Sequence, residues 1–183
     1  MHKLRLLAPC ALAALAFFAT SSQAALKVGD AAPSFKTSAA VAGKAFDFDM
    51  TAALKQGPVV LYFFPKAFTQ GCTMEAHAFA EATPQFAAMG AKVVGMSHDD
   101  IDTLKRFSTE ACRDQFAVAS DPQARTIKAY DAAAAANPER ADRISYVIGQ
   151  DGKVKFVLTS SDPLAHVQQT EAAVKQLQAN SKK

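Results

Sequence analysis

The sequence predicts a single α/β domain, a central mixed β-sheet flanked by helices, and three observations predict it. Residues 58–64 form a continuous apolar, β-branched and aromatic run, the pattern of a strand buried on both faces. A helix-type stretch separates that run from the next apolar strand at residues 91–96, so the two must pair in parallel through a crossover. Near the C-terminus, residues 144–148 and 154–158 flank Gln150-Asp151-Gly152, a hairpin-type turn that makes their pairing antiparallel.

The remaining elements follow in chain order. Residues 46–50 alternate with period two after the turn-prone Gly43 and Lys44, as a half-exposed strand does. Pro65 ends the central strand because proline cannot donate to a ladder. A helix should begin near Gly71-Cys72 and run through Glu75, Ala76, Phe79 and Ala80. Thr83-Pro84 should restart a second short helix, with threonine as cap and proline at its first position, which Gly90 stops. Residues 97–100 supply caps, and Ile101, Leu104, Phe107 and Ala111 recur at helical spacing. Residues 116–119 are a short apolar segment, and Asp121-Pro122 should open a helix running through Tyr130. The alanine-rich residues 132–142 lack alternation and read as a helix extension running into a loop. An amphipathic helix over residues 164–177 closes the domain.

A chain of 183 residues, 50% apolar and 20% charged, suffices for one domain with its own core and is short for two. These fractions exclude a disordered, collagenous or coiled-coil protein, and three cysteines exclude a dense disulfide scaffold. Residues 1–24 resemble a secretory signal peptide. A basic start with Lys3 and Arg5 leads into an apolar run from Leu6 to Ala19, and Ser22-Gln23-Ala24 places small residues where a signal peptidase reads. That run is about 14 residues, short of the roughly 20 that span a bilayer. Residues 25–183 would then form the exported domain, periplasmic or secreted. The formal charge of +3 falls toward neutral once Lys3 and Arg5 are removed, which gives no electrostatic reason to expect nucleic acid or a membrane surface as partner. Only Cys72 and Cys112 would remain. In an oxidising compartment such a pair reads as a structural bridge or a redox couple.

The segment from Pro65 to Cys72 lies just past a central strand, where open α/β sheets place their sites. Cys72 falls at a helix start, where unpaired backbone N–H groups and the positive end of the dipole favour an anion, here the thiolate. The alternative is a buried cysteine acting as a small hydrophobe. Taken singly, Thr69 could merely cap the helix, Pro65 end the strand, and Arg143 be a solvated charge at a strand end.

Together they form Pro65-x-x-x-Thr69-x-x-Cys72, which resembles the active-site motif of the peroxiredoxins. The longer run over residues 62–76 resembles the bacterioferritin-comigratory, or Q-type, branch of the alkyl hydroperoxide reductase/thiol-specific antioxidant family. Residues 28–35 are similar to the family's opening segment, and residues 143–148 to the strand carrying its arginine. The resemblance implies a thioredoxin-like fold and a peroxidase acting on hydrogen peroxide and organic hydroperoxides without metal or organic cofactor. It gives Cys72 the role of attacking thiolate, Arg143 and Thr69 those of hydrogen-bonding groups for sulfur and peroxide, and Pro65 that of a shield against water. Many Q-type members carry a second cysteine five residues after the first, where this chain has His77. By resemblance to branches that use the helix after residue 101, Cys112 is the expected resolving thiol. The alternative is regeneration by an external thiol. The implied partners are a hydroperoxide and a thiol reductant, a thioredoxin-like protein or a small thiol.

Competing functions have weaker support. Cys72, His77 and His98 could form a soft metal site, but the copper chaperones of this fold would call for a Cys-x-x-x-Cys pair. A thiol–disulfide oxidoreductase would need Cys-x-x-Cys, and the chain has neither. A binding module or chaperone would require an exposed apolar patch. Asp47 and Asp49 read as strand exterior, and Asp99-Asp100 as a helix cap.

Overall fold

The computed structural model describes residues 25–181, so the signal peptide read from residues 1–24 lies outside them. In chain order the elements are β1 (Lys36–Val41), β2 (Lys44–Asp49), α1 (Met50–Leu54), β3 (Val59–Phe63), α2 (Gln70–Ala88), β4 (Lys92–Ser97) and α3 (Ile101–Glu110). They continue with β5 (Ala117–Ser120), α4 (Arg125–Ala129), β6 (Ala133–Ala134), β7 (Asn137–Ala141), β8 (Ile144–Ile148), β9 (Val154–Thr159) and α5 (Pro163–Ser181). Seven strands form one mixed sheet in the order β2-β1-β5-β4-β3-β8-β9. β3, β4 and β5 run parallel, while β8 pairs antiparallel with both β3 and β9.

The apolar run of β3 is buried along its whole length, and its residues serve two cores in alternation. Val60, Tyr62 and Phe64 pack with α2, α3 and α5, whereas Val59, Leu61 and Phe63 pack with α1 and α4. The pleat sends successive side chains to opposite faces, so a strand covered on both sides needs an unbroken apolar sequence. The ladder ends where Phe64 N–H donates to Met96 O, and Pro65 follows without a donor. Cys72 thereby reaches the carboxyl end of the central strand. Among the described residues no helix is long and apolar enough to cross a membrane.

Several expectations need correction. Thr83-Pro84 starts no second helix: α2 is continuous from Gln70 to Ala88 with Pro84 inside it. Buried Phe79 and Phe86 hold the two halves against the sheet, and Thr83 Oγ1 donates to Phe79 O instead of capping. Gly90, at φ 69°, then ends α2 as expected. The helix expected from Asp121-Pro122 begins only at Arg125, because the Asp121 carboxylate accepts from the backbone N–H of both Arg125 and Ile127 and holds the turn before it.

Residues 132–142 are not a helix extension but the small hairpin β6–β7. Asp131, at φ 50°, turns the chain away from α4, and the buried methyls of Ala132 and Ala141 fix the hairpin's base. The intrinsic helix preference of alanine is too small to resist that packing. Cys112 is not on α3, which ends at Glu110. It lies in the following turn, where Phe107 O accepts from both Ala111 and Cys112 N–H, and Arg113 and Asp114 then take left-handed φ values of 50° and 61°. β1 went unread because Lys36-Thr37-Ser38-Ala39-Ala40-Val41 carries small polar residues and little apolar alternation.

Candidate active site around Cys72

Helix α2 begins at Gln70, and Thr69 at its N-cap has extended φ and ψ of −75° and 151°. The first backbone N–H groups of a helix have no partner in the preceding turn, so those around Gln70, Gly71 and Cys72 face outward as donors. Cys72, Ala76, Phe79 and Ala80 share the buried stripe at helical spacing, which draws the thiol beneath the surface.

Arg143 stands immediately before β8, and its side chain is 12% exposed. Nη2 donates to Cys72 Sγ at 3.5 Å, while Nη1 donates to Glu75 Oε2. The guanidinium fork therefore bridges a sulfur and a carboxyl one helical turn apart on α2. Burial would lower the Arg143 pKa, but Glu75 and Cys72 more than offset that and hold it up. Gly71 makes the approach feasible, since a Cβ there would lie 3.2 Å from Nη2.

Glu75 is completely buried, and burial pushes its pKa up to about 8 despite the opposing pull of Arg143. Burial thus favours the protonated carboxyl, while the second arm of the guanidinium fork faces the sulfur. Beneath it, Ser145 on β8 and His166 on α5 share a hydrogen bond of 2.7 Å, and His166 Nε2 lies 3.0 Å from Ser160 O. A carbonyl can only accept, so Nε2 carries the proton and Nδ1 accepts from the Ser145 hydroxyl. Burial lowers the His166 pKa, with Arg143 adding to the effect, and keeps the ring neutral.

The loop before α2 is fixed from below. Asp99 Oδ2 accepts from Ala67 N–H and from Ser97 Oγ, both at 2.8 Å. Asp99 is thus a strut for the loop, and only Asp100 caps α3, through Thr103 N–H. Phe68 is left-handed at φ 63°, its ring packed edge-on against Phe107 and covered by Arg106. Thr69 Oγ1 donates to Lys66 O at 3.1 Å, which leaves its lone pairs free to accept. Pro65 is half-buried beside this loop.

The structure thus brings Pro65, Thr69, Cys72 and Arg143 into one locality. Cys112 is fully buried within the same apolar cluster as Cys72, and both are free thiols. Burial, with Asp114 adding to it, pushes the Cys112 thiol well up. Sequence reasoning missed Glu75, Gly71 as a steric gap, the Asp99 strut and the His166–Ser145 pair. The one available signal was a carboxylate on the apolar stripe of a helix, at Glu75. Asp49 is more than strand exterior: it caps α1 through Ala52 N–H. Among the described residues no group of three or more His, Cys, Asp or Glu side chains converges as a metal site would require. A separate cleft of about 480 Å³, lined in part by Phe46, Gln56, Lys92 and Phe116, lies at the far end of β4 and β5 and contains no thiol.

Comparison with known proteins agrees with this geometry. The model of the AhpC/TSA family matches residues 28–157. Peroxiredoxin Q, chloroplastic, of Populus jackii is 33% identical over 117 residues, covering 63% of this chain and 54% of that protein. The chain thus spans about half the length of that chloroplast relative. A protein of Mycobacterium tuberculosis (strain CDC 1551 / Oshkosh) named as a peroxiredoxin is 30% identical over 133 residues, 71% of this chain and 86% of its own. The crystal structure of peroxidoxin BcpB from Mycobacterium tuberculosis superposes with a TM-score of 0.74 at 28% identity, covering 82% of this chain and 97% of that one. The shared architecture is thioredoxin-like. A cysteine at a helix start under an arginine stands on this fold, and the family model spans most of the described residues: the chain belongs to the AhpC/TSA family.

Proposed function

We propose that the protein is a thiol-dependent peroxidase that reduces hydrogen peroxide and organic hydroperoxides. The observation that carries this reading is the Arg143 guanidinium 3.5 Å from Cys72 Sγ at the N-terminus of α2. The Cys72 thiolate attacks one peroxide oxygen; an S–O bond forms, the O–O bond breaks, and the departing alkoxide or hydroxide takes up a proton. Arg143 and the first N–H groups of α2 stabilise the negative charge on sulfur and then on the leaving oxygen, a contribution of a few kcal/mol per donor. Thr69, its own proton committed to Lys66 O, accepts from the peroxide O–H. Pro65 limits access of water to the sulfur.

The Cys72 sulfenic acid then condenses with Cys112. Both sulfurs belong to one buried cluster, and Cys112 is followed by two left-handed residues, of which Arg113 costs about 1–2 kcal/mol and Asp114 less. That strain lowers the cost of opening the turn. The full burial of Cys112 favours the competing reading, in which an external thiol regenerates Cys72. A thioredoxin-like protein or a small thiol is the reductant in either case. Residues 1–24 act as a secretory signal, leaving residues 25–183 as the mature domain in the periplasm or outside the cell. The chloroplast relatives are themselves delivered to a compartment, which supports export or targeting of this chain.

The test is peroxide consumption by wild type, Cys72→Ser and Cys112→Ser with a small-thiol reductant. Loss of activity with the first variant and impaired recycling with the second is expected. Undiminished consumption by Cys72→Ser overturns the reading. Peptide mass spectrometry under non-reducing conditions after one equivalent of peroxide decides between the two routes, since only internal resolution yields a Cys72–Cys112 linked peptide.

A further inference from the structure

Tyr62 is a completely buried phenol on β3 whose hydroxyl has no hydrogen-bond partner. Its ring is held between the two cysteine-bearing segments. It stacks at 4.5 Å on Phe79, which lies on the Cys72 face of α2, and meets Phe116, four residues past Cys112, edge-on at 6.0 Å. Across the sheet Gly95 leaves it room, since a Cβ there would lie 2.8 Å from the hydroxyl oxygen.

Loss of the phenolic proton is opposed first by burial and then by negative charge on Cys112, Glu75 and Cys72, with Arg143 acting the other way. The group is therefore a permanent donor inside the buried cluster that contains both sulfurs. A buried donor without an acceptor is unfavourable, and phenylalanine would fill the same space without that cost. The acceptor must arise in another state of the protein.

We propose that Tyr62 donates a hydrogen bond to the Cys112 thiolate while it attacks the Cys72 sulfenic acid. The inference rests on Cys112 being the resolving thiol. In the step, the Cys112 sulfur bonds to the Cys72 sulfur and the S–O bond of the sulfenic acid breaks. The leaving hydroxide takes the proton that Cys112 released and departs as water. The Cys112 sulfur is oxidised to the disulfide level and the Cys72 sulfur is reduced to it, while Tyr62 keeps its proton throughout. β3 is an interior strand, paired with β4 and β8, so the hydroxyl stays fixed while the first turn of α2 and the turn at Cys112 open. The donor offsets the unfavourable ionisation of a thiol that burial and Asp114 both oppose.

The test is Tyr62→Phe. The full-length reduced protein is mixed with one equivalent of hydrogen peroxide, quenched with acid and an alkylating agent at timed intervals, and the Cys72–Cys112 linked peptide is quantified. Disulfide formation in the variant should slow about tenfold at pH 7, as expected for one hydrogen bond to a charged sulfur. The rise of its rate with pH should move to higher pH, and dimedone should trap correspondingly more sulfenic acid. Unfolding by urea should show the reduced variant at least as stable as wild type, because no resting hydrogen bond is lost. Equal rates of disulfide formation in the two proteins overturn the inference, as does marked destabilisation of the reduced variant. Absence of the linked peptide from wild type refutes instead the resolving role of Cys112 on which it rests.

Discussion

Glu75 provides the sharpest test of the electrostatics beneath the sulfur. Its carboxyl is fully buried, and its pKa is raised from an ordinary 4.5 to about 8, burial being the larger influence and Arg143 opposing it. The folded protein therefore binds this proton more tightly than the unfolded chain does. Between pH 4.5 and about 8 folding takes up a proton, so stability falls as pH rises through that window and levels off above it. Glu75→Gln removes the titration while keeping the shape and one acceptor for Arg143. Each pH unit inside the window is worth up to about 1.4 kcal/mol, so the variant should gain about 4 kcal/mol relative to wild type between pH 5 and pH 8.

His166 contributes with the opposite sign. Its lowered pKa gives stability that is present above 6.5 and lost as pH falls below that value, and it does so in both proteins. The difference between the two urea-unfolding curves, measured on reduced protein at each pH, thus reports Glu75 together with its coupling to His166, whose Nδ1 lies 4.0 Å from Glu75 Oε1. A difference that stays flat within about 1 kcal/mol from pH 5 to pH 8 would falsify the assignment of a mostly protonated carboxyl at neutral pH.

Three further outcomes follow from the contacts. Arg143→Lys keeps the charge but cannot reach Glu75 and Cys72 together; oxidation of Cys72 in a single turnover should slow about 100-fold with the fold intact by circular dichroism. Gly71→Ala places a Cβ 3.2 Å from Arg143 Nη2, so that oxidation rate should fall several-fold while the melting temperature holds or rises, alanine being the better helix former. Asp99→Ala removes the acceptor for Ala67 N–H, which should cost about 1–2 kcal/mol and speed hydrogen exchange at the Ala67 amide.

The parts of the fold that were legible in the sequence are those where one physical pattern dominates. β3 shows as an unbroken apolar run because helices cover both its faces, and β8–β9 because Asp151-Gly152 marks the reversal between two apolar runs. The candidate site was legible through the spacing of Pro65, Thr69 and Cys72, which a strand end and a helix start impose. What stayed hidden depends on contacts distant in sequence. β1 is held by its neighbours β2 and β5 despite a weak pattern of its own, and residues 132–142 become a hairpin through the burial of two alanines. Pro84 looked like a helix start because its effect on the ladder is local, whereas the packing of Phe79 and Phe86 that overrides it is not.

The two cysteines are buried for different reasons, and the difference orders the chemistry. Cys72 is drawn inward by the stripe of α2, yet it meets a cation, Arg143, that also pairs with Glu75 on that helix, so the sulfur is sheltered and polarised by the same contact. Cys112 lies under an apolar turn where burial and Asp114 both oppose its ionisation, so it is inert while that turn is closed. In the proposed reaction a peroxide reaching the site therefore encounters a single competent sulfur. Conversion of Cys72 to a sulfenic acid, in the proposed reaction, alters the sulfur's contact with Arg143 and leaves Glu75 as the partner that ties the segment before β8 to the first turn of α2. The two left-handed residues after Cys112 weaken the other wall. On the proposed function, oxidation of Cys72 thus favours the opening that resolution needs, and Cys112 stays out of reach until Cys72 has reacted.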